Sequence, residues 1–287
     1  MEKVSLYIPC YNAEKFIRQS IEGALHQTYL IDEILIIDDS SNDKTVAVSS
    51  RYPVKVIKHG LHKGLAATRN TAFKSAKNEF IAALDADCSA APDWLEELMR
   101  NFIEDSVAGV GGRLIGCKFN VADRWREAHI KQDWGSERIE NPAFLYGSNT
   151  VYKKGIILKV GLYNEMYKSN YEDCDISGRI IQMGFKLIYN PYAQAVHLKT
   201  DSVKSVMISY WNWHFYVWPK PISWEGLMLK TKENFGLLGH YCRMDIKNKD
   251  CSLVYIDIAS FLYHLILDIR YYLRNFYQNK KWKKVLM

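Results

Sequence analysis

Short apolar runs alternate with amphipathic stretches over residues 4–115. Val4–Ile8 reads as a strand closed by Pro9, and beyond Asn12 the residues Phe16, Ile17, Ser20, Ile21, Ala24 and Leu25 share one helical face. Glu33–Ile37 reads as a second strand, ending in Asp38-Asp39-Ser40-Ser41, and Ser41 or Asn42 is placed to cap the next helix. Val54–Ile57 predicts a third strand, Leu65–Ala76 a helix and Phe80–Leu84 a fourth strand; Pro92 sits where the helix Trp94–Phe102 begins, and Val107–Leu114 is a further strand. This alternation predicts an α/β fold with a mostly parallel, twisted, doubly wound sheet flanked by helices on both faces. Beyond it the pattern predicts a helix near Phe119–Trp134, a loop leading to the segment Ala143–Tyr146, a helix starting near Tyr171-Glu172-Asp173, and short strands at Phe185–Tyr189 and Ala193–Val196. From Ser202 onward the chain reads as helical and aromatic, so the expected division is 1–200 for the α/β domain and 201–287 for a helical C-terminal region.

Composition is that of a globular protein: 287 residues, 48% hydrophobic and 24% charged. The net charge of +6 is concentrated at the C-terminus, where residues 270–287 carry Arg270, Arg274, Lys280, Lys281, Lys283 and Lys284 and no acid. The six cysteines form no Cys-x-x-Cys pair, which predicts free thiols in a reducing compartment and argues against a zinc site or a disulfide framework. Val4–Ile8 is too short for the apolar core of a signal peptide. Leu253–Leu267 is interrupted by Asp257 and His264, so no transmembrane helix is expected, and the expected location is the cytoplasm.

Polar groups follow the predicted strands at Pro9-Cys10-Tyr11-Asn12, Asp38-Asp39, Asp85-Ala86-Asp87 and His197. In a parallel sheet the carboxyl ends of strands converge on one edge, where such folds bind ligands. Four carboxylates on one edge repel unless a cation lies among them, and hard oxygen donors suit Mg²⁺ or Mn²⁺ holding a diphosphate. An isolated Asp-x-Asp also reads as a plain strand end and turn.

The order and spacing of these motifs resemble family 2 glycosyltransferases with the GT-A fold. The segments that carry the resemblance are Ile8-Pro9-Cys10-Tyr11-Asn12-Ala13-Glu14, Ile36-Ile37-Asp38-Asp39-Ser40-Ser41-Asn42-Asp43, Gly64-Leu65-Ala66-Ala67-Thr68-Arg69-Asn70 and Leu84-Asp85-Ala86-Asp87, followed by Gly147-Ser148-Asn149 and Tyr171-Glu172-Asp173-Cys174-Asp175. The resemblance covers about residues 1–200. It implies a nucleotide-sugar site formed by Pro9, Tyr11, Asn12, Glu14, Asp39, Gly64, Arg69, Asp85 and Ala86, with Tyr11 beside the base and Asp39 accepting its N–H. It further implies a divalent metal, Mn²⁺ or Mg²⁺, on Asp87 and His197, with Asp85 toward the ribose or metal-bound water. Asp173 is the implied general base, and Gly147, Asn149 and Glu172 fall on the acceptor side.

The implied reaction is a single displacement with inversion, moving a sugar from a nucleotide-diphospho-sugar, foremost a UDP-sugar, to a hydroxyl of a glycan or lipid-linked glycan. The chain lacks the Gln-x-x-Arg-Trp segment of processive relatives, which implies one sugar per encounter. A nucleotidyltransferase on a related fold and a non-catalytic nucleotide-sugar-binding protein are the alternatives.

Trp211, His214, Phe215 and Trp218 share a helical face that reads either as core or as an acceptor platform. Residues 270–287 interleave aromatic and basic groups and suit an anionic membrane surface, making the protein peripheral on the cytoplasmic face; a helix packed on the domain is the other reading. No nucleic-acid module is visible. His26, His59, His62, His129 and His264 lack motif context and read as surface or packing residues.

Overall fold

A computed structural model describes residues 2–116, 118–167, 170–217 and 220–285. They divide into two compact units, one of residues 1–117 and 131–199 and the other of residues 118–130 and 200–287.

The first unit is built on nine strands: β1 (Val4–Cys10), β2 (Ile31–Asp38), β3 (Lys55–Lys58), β4 (Phe80–Leu84), β5 (Cys88–Ala90), β6 (Val107–Ile115), β7 (Ile139–Glu140), β8 (Asn149–Lys153) and β9 (Lys186–His197). They form one sheet in the order β3-β2-β1-β4-β8-β6-β9-β5, with β7 paired to β9. The β3-β2-β1-β4 half is parallel; β8 runs antiparallel to both β4 and β6, while β6 and β9 are parallel. The sheet is therefore mixed, its parallel half being the part predicted by the alternating pattern. Helices α1 (Ile17–Leu25), α2 (Thr45–Ser49), α3 (Leu65–Ser75) and α4 (Trp94–Met99) follow its first strands.

Every residue of β1 is buried, as expected for a strand covered on both faces. Leu6 and Ile8 join Ile21, Ile36, Leu84 and Trp94 in one core, and Tyr7 joins Leu35, Ile37, Phe73, Tyr152 and Ile180 in the other. Each large apolar side chain so buried contributes about 1.5–3 kcal/mol.

Several predicted elements differ from those observed. Ser41 and Asn42 do not cap α2, which begins at Thr45, because both are engaged elsewhere: Ser41 Oγ accepts from Asn12 N (2.9 Å) and Asn42 N donates to Asn12 Oδ1 (2.9 Å). Ala143–Tyr146 forms no regular element. Leu145 N donates to Ser177 Oγ, and Phe144 and Tyr146 join Trp134 in an aromatic cluster. The next strand is β8, a few residues later. Phe185–Tyr189 and Ala193–Val196 merge into the single strand β9, whose pairing with β6 jumps from Gly112↔Asn190 to Arg113↔Gln194. Pro191 lies in that bulge, where a residue without an N–H costs the ladder nothing. There Gly112 passes so close to β9 that a Cβ would stand 2.1 Å from Ala193 O.

Two further helices of this unit are α6 (Lys154–Lys159) and α7 (Glu172–Gln182). Before both in the chain, and part of the second unit, lies α5 (Val121–His129), shorter than the predicted Phe119–Trp134, its start fixed by the Asn120–Asp123 capping box.

The rest of the second unit is α8 (Val203–Val217), α9 (Trp224–Lys247) and α10 (Val254–Val285). Trp125, Val206, Tyr210, Leu253 and Ile256 form its apolar core. Polar groups are also buried in it: Lys230 Nζ lies 3.0 Å from Asp268 Oδ1, and His214 and His264 are enclosed beside Tyr210. The outer face of α10 exposes Ile258, Leu262, Ile266, Ile269 and Leu273. Residues 251–277 contain an 18-residue stretch of mean hydropathy 1.5 and are long and apolar enough to cross a membrane by length and composition, although no uninterrupted apolar run marks them in the sequence.

Gly112→Ala is expected to lower stability by about 3 kcal/mol, since the added methyl meets backbone rather than a movable side chain. Gly178→Ala, inside α7 with open space around it, should instead raise stability by about 0.8–1 kcal/mol. Urea unfolding of both variants checks the opposite signs.

Candidate active site

The strand ends of β1 and β2 are tied to one another before any ligand is considered. Asn12, at φ 52°, exchanges hydrogen bonds with Ser41 and Asn42; Ala13 N donates to Thr45 Oγ1 (2.8 Å), Glu14 N to Asp43 Oδ2 (3.0 Å) and Lys44 N to Glu14 Oε2 (2.9 Å). Asn12 and Glu14 thus shape the loop that holds Tyr11, whose ring is half exposed at the lip.

Asp39 is almost fully buried, and its carboxylate accepts from Lys63 N (2.9 Å), Gly64 N (2.7 Å) and His59 Nδ1 (2.7 Å), with His62 Nδ1 2.9 Å from Oδ2. Burial alone would raise this carboxyl; the two backbone N–H groups and the imidazoles outweigh it and hold it below the ordinary value. His62 also stacks on Tyr11, with ring centroids 4.3 Å apart. His59 and His62, expected as surface or packing residues, both belong to this cluster.

Arg69 is the centre of the next group. Its residue is 1% exposed, and Nη1 donates to Gly147 O (2.6 Å) and Tyr7 Oη (3.1 Å), Nη2 lies 3.4 Å from Asp85 Oδ1 and Nε 3.5 Å from Glu172 Oε1. Gly147 has to be glycine, because a Cβ there would stand 2.8 Å from Arg69 Nη2. Its N–H in turn donates to Asp173 Oδ2 (3.3 Å), and Cys174 N donates to Asp173 Oδ1 (2.8 Å). Burial raises the Glu172 carboxyl to about 7, with a further push from Asp173 and against the pull of Arg69. Burial also raises Asp173, with Arg69 and the two N–H donors opposing.

Asp85 and Asp87 leave β4 beside this group. Partial burial raises Asp85 to about 6, against the pull of Arg69 and with a push from Asp87. For Asp87 burial is outweighed by His197, whose Nε2 lies 3.5 Å from Oδ2, and by Lys199, so its carboxyl sits below the ordinary range. Ser20 Oγ donates to Ala86 O (2.8 Å), which fixes the turn between the two acids. Pro9, Tyr11, Asp85, Asp87 and Lys199 line one cleft. Lys199 was missed in the sequence, where its sole signal is its place two residues beyond His197.

Two expected acceptor contacts are not available. Asn149 is fully buried: its Oδ1 accepts from the Trp94 indole, and its Nδ2 donates to Arg113 O (3.0 Å) and Ala193 O (3.5 Å). It joins β8 to its neighbours instead of facing a sugar. Glu172 is likewise enclosed against Arg69. Trp211 belongs to α8 of the second unit, with its ring 5.0 Å from Phe215, and Trp218 lies outside the described residues.

A carboxyl raised above its ordinary value disfavours folding once it ionises. Asp85→Asn should therefore raise the metal-free melting temperature at pH 8, and the gain should vanish as pH falls through about 6, where the wild-type group is itself protonated. Calorimetric melts across pH 5–8 measure this.

The family model of glycosyl transferase family 2 matches residues 5–164. Among curated proteins the chain is 28% identical over 174 residues to a pre-mycofactocin glycosyltransferase of Mycobacterium tuberculosis, covering 57% of this chain and 37% of that protein. It is 38% identical over 112 residues to the UDP-Glc:alpha-D-GlcNAc-diphosphoundecaprenol beta-1,3-glucosyltransferase WfgD of Escherichia coli, covering 38% of this chain and 44% of that one. The chain thus matches less than half the length of either. The mannosyltransferase PcManGT of Pyrobaculum calidifontis, solved with GDP-Man and Mn²⁺, shares the fold at a TM-score of 0.61 and 17% identity, over 91% of this chain and 86% of that chain. With the family's motifs standing at the strand ends of a GT-A-like sheet, the chain belongs to glycosyl transferase family 2.

Proposed function

We propose that the protein is an inverting, non-processive glycosyltransferase that moves one sugar from a nucleotide-diphospho-sugar, foremost a UDP-sugar, to a hydroxyl of a glycan or lipid-linked glycan. The observation that carries this reading is the joining, through buried Arg69, of the donor-side Asp85 to the acceptor-side Glu172–Asp173 pair. A donor named UDP-Glc and a diphosphoundecaprenol-linked acceptor in the WfgD relative support the substrate classes.

Tyr11, at the lip and half exposed, offers a stacking surface for the base, and the loop of Pro9, Asn12 and Glu14 holds it there. Asp39, with Lys63 and Gly64 N–H fixed on it, shapes the base pocket, and His62 stands beside both. Asp85 and Ala86 face the ribose side. A carboxylate oxygen and an imidazole nitrogen 3.5 Å apart fit a divalent ion, so Asp87 and His197 would hold Mn²⁺ or Mg²⁺. When bound, that ion offsets the negative charge of the leaving diphosphate. Lys199 adds a positive charge on the same side.

Asp173 takes the proton from the acceptor hydroxyl as its oxygen attacks the anomeric carbon. Two backbone N–H groups orient its carboxylate, and its raised affinity for a proton strengthens it as a base. Glu172 positions Arg69 from beneath and Gly147 gives way to it, while Trp211 remains an acceptor candidate on α8. The location proposed is the cytoplasmic face of an anionic membrane, reached through residues 270–287 and the exposed apolar side of α10. The side chains of Lys280, Lys281, Trp282, Lys283 and Lys284 lie outside the described residues.

Titration calorimetry with UDP and Mn²⁺ tests the donor site: Asp87→Ala should weaken metal-dependent binding about 100-fold, and unchanged affinity would remove Asp87 from the metal. Asp173→Asn should leave donor affinity intact while lowering kcat about 10²–10⁴-fold; a kcat within a factor of a few of wild type would assign the base elsewhere. Co-sedimentation with anionic liposomes should fall on deletion of 270–287 and at high salt, and equal binding by the shortened chain would refute the membrane reading.

A further inference from the structure

The second unit holds a cluster that the proposed reaction does not use. His129 at the end of α5, Asp245 near the end of α9 and Asp257 in the first turn of α10 bring one imidazole nitrogen and two carboxylate oxygens within 4.8 Å of one another. His129 Nε2 lies 3.0 Å from Asp245 Oδ1, 3.2 Å from Asp245 Oδ2 and 3.9 Å from Asp257 Oδ1. All three side chains are removed from solvent, at 0% or 1% exposed.

Electrostatics makes this arrangement costly as it stands. Two buried carboxylates face one imidazole, and among the described residues no Lys or Arg pairs with either acid. An unpaired buried charge costs several kcal/mol. Trp125 Nε1 donates to Asp257 Oδ1 (2.7 Å), and Asp257 Oδ2 accepts no hydrogen bond although the residue is 97% enclosed (3% exposed). Asp257 also borders a small cavity of about 20 Å³, shared with Tyr210, Asn234, Ser260 and His264, which is room for one water.

We propose that His129, Asp245 and Asp257 bind a divalent first-row transition ion of the zinc class, with a water from the adjoining cavity completing its coordination. One imidazole and two carboxylates form a mixed nitrogen and oxygen set that suits Zn²⁺ or Mn²⁺, and the donors can close on an ion at about 2.0–2.2 Å with sub-ångström shifts. The Trp125 indole, already bonded to Asp257, holds that ligand's orientation, as groups behind a metal ligand commonly do. The ion ties α5 to α9 and α10, adding to the Trp125–Asp257 hydrogen bond and to the contact of His129 on Tyr241, ring centroids 4.3 Å apart. This role is structural and independent of the sugar-transfer site.

The test uses the full chain, stripped with EDTA, dialysed free of metal and titrated with ZnCl₂ without nucleotide, with bound metal counted by elemental analysis. The variants are Asp87→Ala, Asp245→Asn and the two combined. The expected result is one equivalent bound by Asp87→Ala, with a rise in melting temperature that EDTA reverses, and at least 100-fold weaker binding once Asp245→Asn is added. If Asp87→Ala binds no equivalent and its melting temperature ignores both Zn²⁺ and EDTA, the cluster holds a shared proton and the proposal fails. It fails equally if the double variant, folded by circular dichroism, binds as Asp87→Ala does. Should Asp245→Asn not fold, the stoichiometry and the EDTA-reversible shift in Asp87→Ala decide alone.

Discussion

A guanidinium that cannot lose its proton, placed where water cannot reach it, is the constraint on which the first unit depends. Arg69 has to be met by negative and accepting groups, and it draws them from three parts of the chain: Asp85 at the end of β4, Glu172 at the start of α7, and the carbonyl of Gly147 in the loop before β8. Removing Arg69 costs about 3–5 kcal/mol, because the buried carboxylates that it meets are left uncompensated. The acids gain as well. Glu172, Asp173 and Asp85 would repel one another on that edge, and the cation among them lets them share it. The entry to α7 shows the same demand. Tyr171 sits at φ 76°, a left-handed conformation unfavourable for a residue with a side chain, and the bonds of Glu172 and Asp173 just beyond it hold the turn.

The two units solve the problem of burial in opposite ways. The first packs aliphatic and aromatic side chains against both faces of a sheet and confines its charges to one lip. The second encloses Lys230, Asp268, His214, His264, Asp245 and Asp257 and turns a row of Ile and Leu on α10 outward. Hydrophobic burial accounts for the first. In the second, helix-to-helix cohesion rests to an unusual degree on polar pairs, each of which has to be satisfied to contribute anything.

The parallel half of the sheet was legible because its signals are local: a run of apolar residues, then a polar break. β8 was not, since it opens with Asn149 and Thr150, polar residues that are fully buried and therefore look like loop. β9 was divided in two by Pro191, which reads as a strand end until the bulge against Gly112 explains it. In the site, Asp39, Asp85, Asp87 and Asp173 stand at strand or helix ends that the sequence marks. His59 and His62 gain their meaning from Asp39, 20 and 23 residues away, and no local pattern announces that contact. Asn149 misled for the reverse reason, lying beside Gly147 in sequence while its side chain turns into the core.

The place of β8 in the sheet also governs the order in which the chain can fold. β8 fills the gap between β4 and β6, yet it is synthesised 65 residues after β4 ends, Leu84 to Asn149. At about 5–20 residues per second, one edge of β4 waits about 3–13 s for its partner during translation. Through that interval the parallel half presents an unpaired apolar strand, open to the wrong neighbour as well as the right one. The parallel half of the nascent chain is therefore most exposed to mispairing and most dependent on chaperone cover before residue 149 emerges, and the antiparallel strand that covers β4 is the one that ends that exposure.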